Sequence, residues 1–200
     1  MAVDTEGHTP DPDAALSGGY ALLQALVGIR LRNVSDPESR RHLTWLSDVT
    51  AALSLINRRI SQNGSVDFAA YLEDTAAFWR RVGEGRAIRI DIRAAGAPVP
   101  ENLALPMAII VHELVSNAVH HAFPDGQRGS IAIACSRSSD GVSLVVRDSG
   151  IGTAELIYGD GLALVSGLVE HLRGVMSVET APGAGVGIRI RLPMGMEIRH

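Results

Sequence analysis

The chain has 200 residues, 46% hydrophobic and 20% charged, an ordinary globular mix with enough apolar material for one or two domains. Its net charge of −4 offers no nonspecific attraction to nucleic acid or to an anionic membrane. The single cysteine, Cys135, excludes an intrachain disulfide. With no signal peptide and no apolar run of about 18 residues, the pattern fits a reducing, cytoplasmic setting without direct membrane insertion.

Residues Met1–Asp13 combine acids, prolines and a histidine without periodicity, and are expected to form a flexible tail. Leu16, Tyr20, Leu23, Val27, Leu31 and Val34 then step by three and four, which predicts an amphipathic helix of about five turns. It stops near Asn33–Ser35. Ser35-Asp-Pro-Glu38 matches a capping box, with the Ser35 hydroxyl accepting from the third amide and Glu38 reaching back. A second helix carries Leu43, Leu46, Val49, Leu53, Ile56 and Ile60 on one stripe. Two such helices with a short connection predict an antiparallel hairpin over residues 14–64. One hairpin cannot cover both stripes. Dimerisation into a four-helix bundle would, against the alternative that the hairpin packs on the rest of its own chain.

Ser61–Val66 (SQNGSV) is predicted to be a loop, and Asp67 to cap a third helix bearing Phe68, Tyr71, Leu72, Phe78 or Trp79, and Val82. Aromatics at this spacing face a core more often than a ligand. From Ala87 the period becomes two: Ile88, Ile90 and Ile92 alternate with Arg89, Asp91 and Arg93, a half-buried strand. Pro98 and Pro100 mark a loop.

A further helix is predicted over Met107–Phe123, with Ile110, Leu114, Val115, Val119 and Ala122 as its apolar stripe. Against that stripe Glu113, Asn117 and His121 step by four and share one face. Glu113 and Asn117 can offer oxygens to a hard cation such as Mg²⁺, which binds few protein ligands plus phosphate and water. The simpler reading is a helix whose polar side faces water. Pro124-Asp-Gly126 then turns the chain. Ile131, Ile133 and Cys135 alternate in a strand, Ser138–Gly141 forms a hairpin turn, and Val142, Leu144 and Val146 lead to Asp148. A helix over Leu162–Leu172 and strands over Val175–Glu179 and Val186–Leu192, joined by the turn Ala181–Gly185, complete the chain. Residues 65–200 are thus expected to form an α/β sandwich with its helices on one sheet face, giving an α+β protein overall.

Asp148-Ser-Gly150-Ile-Gly152 ends a strand, and Gly159-Asp-Gly161-Leu162 opens a helix. Glycines at a helix N-terminus let backbone amides approach an anion. An aspartate at an apolar strand end can accept from an exocyclic amine such as that of adenine. The Glu-Asn helix, the Asp-x-Gly-x-Gly turn, the glycine-started helix and a final glycine-containing hairpin follow in that order.

In this order the residues resemble sensor histidine kinases. HELVSNAVHHAFPDG is similar to the N box, particularly that of the HWE-like subgroup, whose helix reads E-L-V-x-N-A-x-K-H-A-F. DSGIG and GDGLALV resemble the two glycine boxes, and the hairpin over Ala14–Arg59 resembles the dimerisation and phosphotransfer domain. The resemblance implies a Bergerat-type ATP-binding domain for ATP or ADP with Mg²⁺. It would make Glu113 the general base or metal-side acid and Asn117 the Mg²⁺ ligand, with Asp148 on adenine. Gly150, Gly152, Gly159, Gly161 and Leu162 would shape the pocket, and His120 and His121 would flank the nucleotide. It further implies a homodimer acting on a response regulator or a partner kinase, with no nucleic acid. Related ATPase folds, including the anti-sigma-factor kinases, share the boxes without the hairpin.

The sequence departs from that family in ways that bear on function. Where the kinases carry the phosphoacceptor histidine, Leu16–Gln24 has none, and Ser17 occupies the equivalent position. His8 lies in the tail and His42 near the hairpin tip. His120 replaces the usual lysine and would make a weaker phosphate contact. Only Thr153–Tyr158 separate the glycine boxes, Ala163 replaces a glycine, and Val186 stands where a threonine is expected. Phosphoryl transfer depends on positioning and charge stabilisation, so these losses argue against autophosphorylation. Two readings follow: a nucleotide-binding, histidine-kinase-like regulator without its own phosphotransfer, or an active kinase that phosphorylates a partner.

Overall fold

The computed structural model describes residues 12–61, 63–82, 87–94, 98–155 and 159–194, with side chains throughout except at 12–18 and 82. The expected tail, Met1–Asp13, lies almost wholly outside these residues. The chain divides into two compact units, residues 1–58 and 59–200.

In the first unit, α1 (Pro12–Asn33) and α2 (Pro37–Asn57) pack against each other. Each begins on a proline, whose missing N–H is one of the donors a helix start leaves unbonded anyway. The cap of α2 is Asp36, not the expected Ser35: its carboxylate accepts from the Ser39 amide at 2.7 Å. Proline at the first helical position fixes the cap one residue before it, and aspartate caps well there. Val27, Val49, Ala52 and Ile56 are buried, but Leu23 and Leu46 of the predicted stripes are not. With Leu22, Leu26, Ile29 and Trp45 they remain 41–61% exposed, so α1 is apolar on more than one side.

In the second unit, the predicted loops at 61–66 and 98–100 contain a small sheet instead. β1 (Ser65–Val66) pairs antiparallel with β3 (Val99–Pro100). Two-residue strands are too short to show a period of two, and the proline sits at an edge that it can tolerate. Asp67 caps α3 (Phe68–Val82) as expected, accepting from the Ala70 amide at 3.0 Å. Of the pair Phe78 and Trp79, it is Trp79 that is buried. Tyr71 donates its hydroxyl to the Ala108 carbonyl at 3.2 Å, and burial pushes its phenol pKa upward.

The main sheet contains β2 (Ile88–Ala94), β4 (Gly129–Arg137), β5 (Gly141–Asp148), β6 (Val175–Thr180) and β7 (Val186–Pro193). Its order is β2-β4-β5-β7-β6, with β2 and β4 parallel and the rest antiparallel. Ile90, Ile131, Ile133, Leu144, Val146, Ile188, Ile190 and Leu192 project to one face and are buried. Cys135 shares that side, and burial pushes its thiol up to about 11, too high for a reactive thiolate. α3, α4 (Glu101–Asn117) and α5 (Asp160–His171) all contact the sheet.

α4 starts six residues before the predicted Met107, and Pro106 lies inside it. The proline removes one hydrogen bond, but burial of Leu103, Ala104, Met107 and Ala108 carries the helix across it. A π-helical turn, Ala118–Ala122, extends α4. By length and composition alone Glu101–Ala122 is apolar enough to cross a membrane, with mean hydropathy 1.4 over its apolar window, although polar residues such as Glu113 and Asn117 interrupt it. That window is 67% buried within the protein, as a core helix would be.

Candidate nucleotide site

The acid expected to face a base closes β5. Asp148 is buried, and its Oδ1 accepts from the Gly150 amide at 2.8 Å and the Val186 amide at 3.2 Å. Oδ2 accepts from none of the described residues. A carboxylate held by one oxygen leaves the other able to accept from a ligand amine. Val186 therefore contributes its backbone amide where the family resemblance asked for a threonine hydroxyl.

The turn after Asp148 is held by backbone on both sides. Ile151 donates to the Ala122 carbonyl at 3.0 Å, and Gly183 donates to the Ile151 carbonyl at 2.6 Å. A Cβ on Gly150 would lie 2.2 Å from the Ala122 carbonyl oxygen, so only glycine allows this approach to the π turn. Sequence reasoning missed Thr180. Its hydroxyl accepts from the Thr153 amide at 3.0 Å and lies 3.0 Å from the Gly185 carbonyl oxygen, tying the glycine turn to the β6–β7 hairpin. A single threonine ending an alternating strand gives no signal of that kind.

At the other side of the site, Glu113 is buried on α4 and Asn117 follows one turn later, half-buried. The N-terminus of α5 comes directly against them. A Cβ on Gly161 would fall 2.6 Å from Glu113 Oε2 and 3.4 Å from Asn117 Nδ2. The positive end of a helix dipole thus lies beside a carboxylate and a carboxamide, an arrangement that favours anions and the cations they bring. Leu162 is buried behind this contact. Gly159 precedes α5 with open space where a Cβ would go, so no steric demand fixes it as glycine.

The histidines diverge from the row predicted on a constant helical period. The π turn widens the helix just after Asn117 and resets the phase of His120 and His121, both of which are exposed. His120 turns back toward its own helix, with Nδ1 donating to the Ser116 carbonyl at 2.8 Å. Its ring lies edge-on to Trp79 at 6.4 Å. His112, which sequence reasoning passed over, is buried against Trp79 at a ring separation of 5.4 Å. Burial, with a smaller contribution from the charge of His120, pushes its pKa down to about 4, so it is neutral at pH 7.

Ser17 lies on the backbone of α1, its side chain outside the described residues, and His8 lies outside them altogether. His42 is exposed on α2. The predicted short lid, Thr153–Tyr158, is described only as far as Glu155. Among the described residues no three His, Cys, Asp or Glu side chains cluster to hold a metal unaided. Glu113 and Asn117 therefore fit a cation that arrives with phosphate oxygens and water.

Comparison with known proteins agrees with this geometry. Residues 78–191 match the family described as the histidine kinase-like ATPase domain. The sensor histidine kinase PdtaS of Mycobacterium tuberculosis is 28% identical over 187 residues, covering 86% of this chain and 36% of that protein. Blue-light-activated histidine kinase 1 of Erythrobacter litoralis is 25% identical over 184 residues, covering 88% of this chain and 49% of that one. The chain thus spans less than half the length of these curated relatives. The structure of the Erythrobacter litoralis EL346 blue-light-activated histidine kinase aligns with TM-score 0.71 at 24% identity, over 90% of this chain and 60% of that chain. The histidine kinase domain of the same protein aligns at 0.68 and 22% identity, over 87% and 96%. With its Asp148 turn, its Glu113–Asn117 helix and this family match over more than half its length, the chain belongs to the histidine kinase-like ATPase family.

Proposed function

We propose that this chain binds ATP or ADP with Mg²⁺ and acts as a dimeric, histidine-kinase-like regulator that does not phosphorylate itself. The observation that carries the nucleotide reading is Asp148. Two backbone amides hold one oxygen and leave the other with no donor among the described residues. An adenine amine supplies that donor. Glu113 and Asn117 would hold the metal and phosphate end, with the N-terminus of α5 against them. A bound MgATP would bring the transferable phosphoryl group. The chain's own part is to orient it, exclude water around Asp148 and place Glu113 as a base or metal-side acid.

The regulator reading rests on Ser17, which stands where a phosphoacceptor histidine is expected, and on the exposure of Leu22, Leu23, Leu26, Ile29, Trp45 and Leu46. An apolar surface of that kind suits a second copy, completing a four-helix bundle. The bundle face near Ser17–Gln24 and Leu53–Ile60 is where a response regulator or partner kinase would dock. Incubation of the chain alone with radiolabelled ATP is expected to give no acid-labile label. Label lost in acid, stable in base and removed by changing one histidine, His42 first, would overturn this. Retention of the buried Glu113 favours a second reading, an active kinase for a partner. Label on an added partner that disappears with Glu113→Ala and Asn117→Ala would establish it.

A further inference from the structure

The main sheet has a second face, which no helix among the described residues of 59–200 covers. Side chains alternate, so the partners of the buried row point there: Arg89, Asp91 and Arg93 on β2, Ala132 and Ala134 on β4, Ser143, Val145 and Arg147 on β5. Arg189 and Arg191 on β7 and Ser177 and Glu179 on β6 complete it. The face carries five arginines and two acids in a chain whose net charge is −4.

Both acids are already engaged. Arg147 pairs with Glu179 at 2.5 Å, and Arg89 pairs with Asp91 at 2.9 Å. Arg93, Arg189 and Arg191 have no ion-pair or hydrogen-bond partner among the described residues. The register puts Arg93, Ala134, Val145 and Arg189 side by side across four strands. Between the two guanidinium groups the small side chains of Ala134, Ser143 and Val145 form the floor of a shallow depression of about 540 Å³.

We propose that this open face is a docking surface for an acidic polypeptide segment, held by Arg93, Arg189 and Arg191. Guanidinium groups prefer planar, doubly accepting carboxylates or phosphates. Arg93 and Arg189 stand three strands apart, about 14 Å at ordinary strand spacing. One small anion cannot span that gap, whereas an extended chain with repeated carboxylates can. A nucleic acid fits less well, because among the described residues the face offers no aromatic ring for a base to stack on. The low floor lets a segment lie flat without displacing bulky side chains. This inference is independent of whether the nucleotide site is occupied.

The test uses the whole chain and a fluorescein-labelled peptide of alternating Glu and Ser, read by anisotropy at low salt. Binding is expected to weaken about tenfold in Arg93→Gln/Arg189→Gln/Arg191→Gln with no change in melting temperature. It should weaken as salt rises and remain unchanged in Arg30→Gln/Arg32→Gln, a control on α1. Equal binding by the triple variant, or equal loss in the control, would overturn the proposal. So would tighter binding of single-stranded oligo-dT than of the peptide, which would assign the face to nucleic acid.

Discussion

Around Asp148 and Glu113, in residues 59–200, each polar group is fixed by backbone or by a neighbouring element. Amides of Gly150 and Val186 clamp Asp148, and Gly161 brings a helix end against Glu113 and Asn117. In residues 12–58 the helices are just as regular, and on the reading proposed above Ser17 stands where an acceptor histidine would be needed. The difference follows from what each position must do. A pocket built from buried contacts cannot lose a residue without disturbing the packing. An acceptor side chain on a helix surface makes no such contribution, and its replacement leaves the helix intact. On that proposal, binding and phosphotransfer would be separable in this architecture.

The largest way to break the first region is Gly152→Ala. Gly152 has φ +56°, and a Cβ there would lie 2.1 Å from the Ala181 carbonyl oxygen. Left-handed strain and overpacking together should cost about 4 kcal/mol in urea unfolding, with nucleotide binding lost.

Next is a pH dependence set by His112. Its pKa falls from 6.5 in the unfolded chain to about 4 in the folded protein. Below pH 6.5 the unfolded state takes up the proton and the folded state does not, so this group's contribution to stability declines as pH falls toward 4 and is level above 6.5. His112→Phe, which keeps a ring against Trp79, should remove about 3 kcal/mol of that decline, judged from the difference between the two stability profiles.

In residues 12–58, Leu23→Glu or Leu26→Glu should weaken self-association by about a hundredfold in sedimentation equilibrium, while the isolated variants remain helical by circular dichroism. A wild-type chain that is monomeric at high micromolar concentration would remove the dimer from the account. The smallest effect is Asp67→Ala, which deletes the cap of α3 and should lower stability by about 1 kcal/mol in the same urea assay.

Much of this was legible in the sequence because it is periodic or bracketed by glycine. The alternation from Ile88 to Ile92 and from Ile131 to Cys135 announced strands, and Asp148, Gly150 and Gly161 were visible as a spaced set. Their meeting in space could not be read locally, since Ala122, Thr180 and Val186 close the turn from three separate elements. β1 and β3 were too short to carry a period. The π turn after Asn117 follows no residue signal, so the row from Glu113 to His121 was drawn too straight. His112 looked like one more residue of an apolar helix, and only the packing of Trp79 distinguishes it.

The central claim, that the retained pocket still holds nucleotide, is tested most directly by titrating MgADP calorimetrically into the wild-type chain and into Asp148→Asn. The account predicts one saturable site per wild-type chain, and at a hundred times the dissociation constant about 2.7 kcal/mol of added stability. Asp148→Asn should fold with an unchanged melting temperature and bind no nucleotide. A folded wild-type chain that shows neither heat nor stabilisation at millimolar MgADP, or an Asp148→Asn variant that binds as the wild type does, would contradict it.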